Sequence, residues 1–148
     1  MSQNNEDFTL DKCRFFNNSA PRAGGAEFHA DNKGVMVKGC IFEGNHANKF
    51  VGGLEFQNDN ERITVESTNF IGNRGQSGTG ALQFYDHNFD INVTNCIFRL
   101  NSAEFEGGAA IALHLHNSKF LITDCVVENN TNTVGMFSTF CYQLRVCL

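Results

Sequence analysis

Apolar residues alternate with polar ones in runs of only three or four positions, and the runs return at a nearly fixed interval. Phe8 and Leu10 are matched by Val35 and Val37, Ile63 and Val65, Ile91 and Val93, then Phe120 and Ile122. Five residues after the first member of each pair stands Cys13, Cys40, Thr68, Cys96 or Cys125, at successive separations of 27, 28, 28 and 29 residues. Two places further on come Phe15, Phe42, Phe70, Phe98 and Val127, and three beyond those Asn18, Asn45, Asn73, Asn101 and Asn130. A small-residue turn follows: Gly24-Gly25-Ala26, Gly52-Gly53-Leu54, Thr79-Gly80-Ala81-Leu82 and Gly107-Gly108-Ala109. Another alternating run then carries Ala26 and Phe28, Leu54 and Phe56, Leu82 and Phe84, and Ile111 and Leu113. Period-two alternation puts like residues on one face of a strand, and none of these runs has the length or spacing of a helix.

Each repeat therefore predicts three short strands joined by turns, and a triangular cross-section. Strands this short are unstable alone, but coils stacked about 4.8 Å apart give their backbone groups parallel partners above and below. The expected fold is all-β: a right-handed parallel β-helix of about 4.5 coils, each about 28 residues long, over residues 8–133. A polar N-terminal end, 1–7, precedes it. A tail at 134–148 abandons the repeat and reads as a truncation, an artefact of translation or a cap, so the chain reads as a fragment.

The columns have physical roles in such a tube. Stacked Phe15, Phe42, Phe70 and Phe98 supply buried apolar area, worth roughly 1.5 to 3 kcal/mol per side chain. An isolated buried Asn is costly, whereas a column of Asn lets each amide bond to its neighbours. The Gly-Gly pair fits a corner that needs either positive φ or close backbone approach. Cys13, Cys40, Cys96 and Cys125 share one rung position and form no C-x-x-C pair, so they read as inward-stacked thiols; a bridge between in-register parallel strands would be strained. Cys141 and Cys147 lie in the tail.

At this point the repeat, Phe-x-x-Asn followed by Gly-Gly-Ala-Ile/Leu, resembles the repeats of chlamydial polymorphic outer-membrane proteins, within the pectin-lyase-like superfamily of β-helices. Phe15-x-x-Asn18, Phe42-x-x-Asn45, Phe70-x-x-Asn73 and Phe98-x-x-Asn101 carry the resemblance, which covers roughly Phe8 to Asn130. It implies an extracellular or cell-surface solenoid used for adhesion or as a stalk, with carbohydrate or protein as partner and no catalytic residues. The membrane barrel of the bacterial family has no counterpart in this sequence.

Composition narrows the function further. A net charge of −5 without basic clusters argues against nucleic acid as a partner. No apolar run of 18 residues could span a bilayer as a helix, and Met1–Asp7 has neither the basic start nor the apolar stretch of a secretory signal. Polysaccharide-cleaving β-helices work with clustered carboxylates, but here Asp and Glu are scattered. Glu27, Glu55 and Gln83 align after the Gly turn and read as solvated surface groups. Among five histidines, His114 and His116 flank Leu115 on one strand face without a third ligand at recognisable spacing, so no metal site is expected. No cofactor and no catalytic residue is assigned. Three sequons, at Asn17, Asn92 and Asn129, offer glycosylation sites if the chain is secreted by a eukaryote. Unpaired coil edges predict end-to-end self-association. The runner-up to a surface module is a carbohydrate-active β-helix with its catalytic coils elsewhere.

Overall fold

The computed structural model describes residues 4–105 and 107–133, which contain nineteen strands and no helix. Every pairing between named strands is parallel, and each strand pairs with its counterpart one repeat away. The first sheet stacks β1 (Thr9–Asp11), β5 (Met36–Lys38), β9 (Glu61–Glu66), β13 (Phe89–Thr94) and β17 (Ser118–Thr123). The second stacks β2 (Arg14–Phe16), β6 (Ile41–Glu43), β10 (Asn69–Ile71), β14 (Ile97–Arg99) and β18 (Val126–Glu128). The expected third wall is present as β4 (Ala26–Ala30), β8 (Leu54–Asn58), β12 (Leu82–Asp86) and β16 (Ile111–Leu113).

One wall was not expected. A sheet of two-residue strands lies between the second sheet and the Gly-rich turn: β3 (Ser19–Ala20), β7 (His46–Ala47), β11 (Arg74–Gly75), β15 (Ser102–Ala103) and β19 (Thr131–Asn132). Each of the first four coils thus has four strands rather than three, and the described part of the fifth has β17, β18 and β19. Two residues hold one period of alternation at most, so the pattern carries no signal for this wall.

Residues that share a repeat position are register partners. Leu10, Val37, Val65, Val93 and Ile122 pair in sequence along the first sheet, and Phe15, Phe42, Phe70, Phe98 and Val127 along the second. The phenyl rings of Phe15–Phe42, Phe42–Phe70 and Phe70–Phe98 stack with centroids 4.5, 5.0 and 4.9 Å apart and planes within 8°. A second aromatic column, Phe28–Phe56–Phe84, has spacings of 5.0 and 5.2 Å. Its rings and those of Phe42, Phe70 and Phe98 are fully buried, so the core is a dry tube with two ring stacks along it.

The Asn column is a continuous hydrogen-bond wire. The Asn73 side-chain amide donates to Asn101 Oδ1 at 3.0 Å and to the Phe42 carbonyl at 2.8 Å, while its Oδ1 accepts from both the backbone N–H and the side chain of Asn45. The same pattern joins Asn18 to Asn45 and Asn101 to Asn130. A second wire of identical design runs through Asn5, Asn32, Asn60, Asn88 and Asn117 at the corner between the last and first sheets. The polar segment set apart at 1–7 therefore joins the solenoid at Asn5, and Glu6 bridges to Lys33.

Corners are turned by single residues in the left-handed region. Lys12, Gly39, Ser67, Asn95 and Asp124 have φ between 49° and 60°, and each stands one place before the Cys/Thr column. A second such column, Asn17, Gly44, Gly72, Leu100 and Asn129, precedes the first Asn wire; a third, Asn4, Asp31, Asp59, His87 and His116, precedes the second. Gly24-Gly25 and Gly52-Gly53 contain no positive φ, so close approach is the reason for glycine in those two pairs, whereas Gly107 has φ 104° and also needs glycine's conformational freedom. A Cβ on Gly52 would lie 2.5 Å from both the Arg74 nitrogen and the Gly80 oxygen.

The Cys/Thr column caps the first corner as well as filling space. Thr68 Oγ1 donates to the carbonyl two residues back at 3.0 Å, and the Cys96 thiol does the same at 3.2 Å while also reaching Val65 O on the adjacent coil. Hydroxyl and thiol are interchangeable in that role, which accounts for Thr at the one departure from Cys. Cys13, Cys40, Cys96 and Cys125 are all free thiols; Cys141 and Cys147 lie outside the described residues.

Candidate functional sites on the outer wall

The residues singled out in sequence fall into the wall and the core, leaving the outer surface to carry any chemistry. Asn18, Asn45, Asn73, Asn101 and Asn130 use their amides within the first wire. Asn17 and Asn129 are exposed at left-handed corners, whereas Asn92 is half-buried in mid-strand between Thr64 and Leu121.

Burial perturbs the thiols. Cys40 is pushed above its usual range chiefly by desolvation. In the Cys96–Cys125 pair, the hydrogen bond between the sulfurs, aided by burial, raises Cys96, while the same bond lowers Cys125 to about 7.

The last sheet carries the first candidate site. Its strands turn Phe28, Phe56 and Phe84 inward, so Glu27, Glu55 and Gln83, which are register partners, project outward. They are not the solvated row expected. Glu55 is 1 % and Gln83 2 % exposed. Alternation specifies the side of the sheet but not what covers that side. Glu55 lies in a 370 Å³ cleft whose walls include Arg22 and Phe50, both from connections that precede this sheet, together with His29 and Tyr85. The Arg22 guanidinium sits 4.8 Å over the Phe50 ring, and its Nε is 3.4 Å from Glu27 Oε1.

This environment separates the two carboxylates electrically. Glu55 Oε1 accepts from Gln83 Nε2 at 3.3 Å, and Gln83 is itself held by Thr79 Oγ1 at 2.8 Å. Glu55 Oε2 is buried without a hydrogen-bond partner, as is Asn58 Oδ1 in the same cleft. Desolvation first, and the charge of Glu27 second, push the Glu55 carboxyl up to about 7 against the opposing pull of Arg22 and Gln83. Glu27 keeps its guanidinium partner. Glu55 therefore has an affinity for its proton far above that of an ordinary carboxylate.

A second cluster stands at the next corner. Asp86 ends β12, His87 turns the corner with φ 51°, and His116 occupies the equivalent position one coil later with φ 53°. The imidazoles of His87 and His116 stack at 4.6 Å, and both Nδ1 atoms face Asp86 Oδ1, at 2.9 and 3.0 Å. Desolvation works to raise the Asp86 carboxyl, but hydrogen bonds from His116 and His87 outweigh it and the net shift is downward. The expected pairing of His114 with His116 on one strand face is corrected here: β16 ends at Leu113, and His114 packs instead near Tyr85, with centroids 5.6 Å apart.

Comparison with known proteins agrees with this geometry. A family model described as a right-handed β-helix region matches residues 1–144. The chain belongs to that family. No curated protein and no solved structure gives a match. The β-helix family accounts for the parallel coils and their ladders; the outward carboxylates, the cleft and the His–Asp corner are features of this chain that fold alone does not dictate.

Proposed function

We propose that this β-helix is a non-enzymatic module of an extracellular or cell-surface protein, a stiff rod that spaces or presents corner residues and short connections to a carbohydrate or protein partner. The observation that carries the reading is the pair of Asn wires. They take up the hydrogen-bonding capacity of the polar residues drawn into the wall, so those residues serve rigidity rather than chemistry. The resemblance of the Phe-x-x-Asn and Gly-Gly repeats to those of chlamydial surface proteins points the same way. Incubation with polygalacturonate or alginate, followed by absorbance of unsaturated product, tests it. The expected outcome is no product, with retention on immobilised glycan or surface protein; appreciable turnover overturns the reading.

A second reading, a carbohydrate-active β-helix, is favoured by one observation, the raised Glu55 carboxyl in a polar cleft, with the Arg22-bound Glu27 as its register neighbour. A carboxyl poised at about 7 has the proton affinity of a general acid or base at neutral pH. Under that reading turnover is present in the same assay and lost in Glu55→Gln.

A further inference from the structure

We propose that Asp86, His87 and His116 form a binding site for a divalent transition metal ion of the zinc, nickel or copper type, which clips two successive coils together at their shared corner. The ligand atoms of the three residues all lie within 4.8 Å of one another. One oxygen, Asp86 Oδ1, is common to both imidazole contacts, so the cluster converges on a point rather than spreading along the surface. A tetrahedral zinc ion with bonds of about 2.0 to 2.2 Å holds its donors roughly 3.3 Å apart. The present N–O separations of 2.9 and 3.0 Å need widen by only a few tenths of an ångström, while the two imidazoles, stacked at 4.6 Å, must tilt toward one another about their exposed side-chain torsions to admit it.

The backbone supplies the arrangement. His87 and His116 are stacked residues of one left-handed corner column, so their side chains leave the chain in the same direction and their rings lie within 23° of parallel. Asp86 is the strand residue immediately before that corner, which fixes the carboxylate beside both rings. Two imidazole nitrogens and one carboxylate oxygen suit zinc, nickel or copper; calcium and magnesium prefer sets made of oxygen alone. Three protein donors leave a fourth position open. The His side chains are 56 % and 63 % exposed, so the ion enters from solvent and that position takes water or a group from a partner. A coordinating Nδ1 carries no proton, so binding needs the tautomer with its proton on Nε2 and releases any further proton.

Sequence alone pairs His114 with His116 because they are close along the chain. The site joins residues 29 and 30 apart, a spacing that becomes meaningful once the coil length is known.

The test uses the whole chain after EDTA treatment and dialysis. Substoichiometric Ni²⁺ is added and the five imidazole resonances are followed by NMR, with zinc affinity measured by calorimetry. Two resonances should broaden ahead of the other three. His116→Asn and His87→Asn, both at a corner where Asn tolerates positive φ, should each weaken zinc binding at least tenfold and leave the circular dichroism spectrum unchanged. His114→Asn should leave binding intact. Even broadening of all five resonances, or undiminished zinc affinity in both His87→Asn and His116→Asn, overturns the proposal; two variants guard against one failing to fold.

Discussion

Glu55 shows what alternation says about a residue and what it omits. The pattern places it on the outer face of its strand correctly, and its register with Glu27 and Gln83 is legible from the spacing. Its burial is not, because the cleft is walled by Arg22 and Phe50, which come from irregular connections with no periodic signal. The consequence is a stability that depends on pH. Folding raises the Glu55 carboxyl from 4.5 to about 7, so the folded state binds the proton more tightly than the unfolded chain. Its contribution is fully present below pH 4.5 and is lost as pH rises through 7. The shift corresponds to an upper bound on the order of 3 kcal/mol at pH 8. Glu55→Gln keeps the shape and removes the ionisation, so the variant should gain stability at pH 8 and show a flatter profile from pH 4.5 to 8 in urea unfolding. An unchanged slope in the variant would assign the pH dependence elsewhere.

At the scale of elements, the three longer walls were readable because each repeats apolar residues at every second position, and the two-residue wall was not. The Phe-x-x-Asn wire was readable too. Its twin at Asn5, Asn32, Asn60, Asn88 and Asn117 has the same 27- to 29-residue spacing, and Phe28, Phe56 and Phe84 each stand four places before a member, one place further than in the Phe-x-x-Asn motif. Left-handed corners stayed hidden for a different reason. Lys12, Ser67, Asn95 and Asp124 share one corner position with Gly39, so the backbone requirement is met by residues with no common side-chain chemistry. Two glycines that look alike in sequence should consequently behave differently. Gly72 is a corner residue with φ 61° and open space where a Cβ would go, and Asn17 and Asn129 occupy its column. Gly72→Asn should shift stability by less than about 1 kcal/mol. Gly52 lies against the backbone of the next coil, and Gly52→Ala should cost more than about 3 kcal/mol or prevent folding, because the coils must separate to admit a methyl. Chemical denaturation of the two variants checks the contrast, and equal effects would mean that coil spacing is softer than the stacking distances imply.

For the whole molecule, a solenoid is a one-dimensional stack in which each coil is held by its two neighbours. Inner coils have both, and Phe42, Phe56, Phe70 and Phe84 are accordingly sealed. The outermost described coil has one, and it leaves Val127, the last residue of the inward Phe column, 42 % exposed; at the other end Phe15 and Cys13 are only half-buried. The two ends are complementary, since the apolar columns that end at Val127 and Cys125 begin at Phe15 and Cys13. Head-to-tail docking of the described ends would continue the columns of the three five-stranded sheets and pair one strand edge of each copy. Such a contact joins unlike surfaces, so it does not close on itself and produces linear chains rather than a dimer. The isolated chain should therefore show a weight-average mass that climbs with concentration in sedimentation velocity, without a plateau at two copies. Val127→Lys places a charge at the end of the Phe column and should suppress that growth while preserving the circular dichroism spectrum, because Val127 has no coil above it to disturb among the described residues. A single sedimenting species at every concentration would show that the apolar ends are already covered in solution.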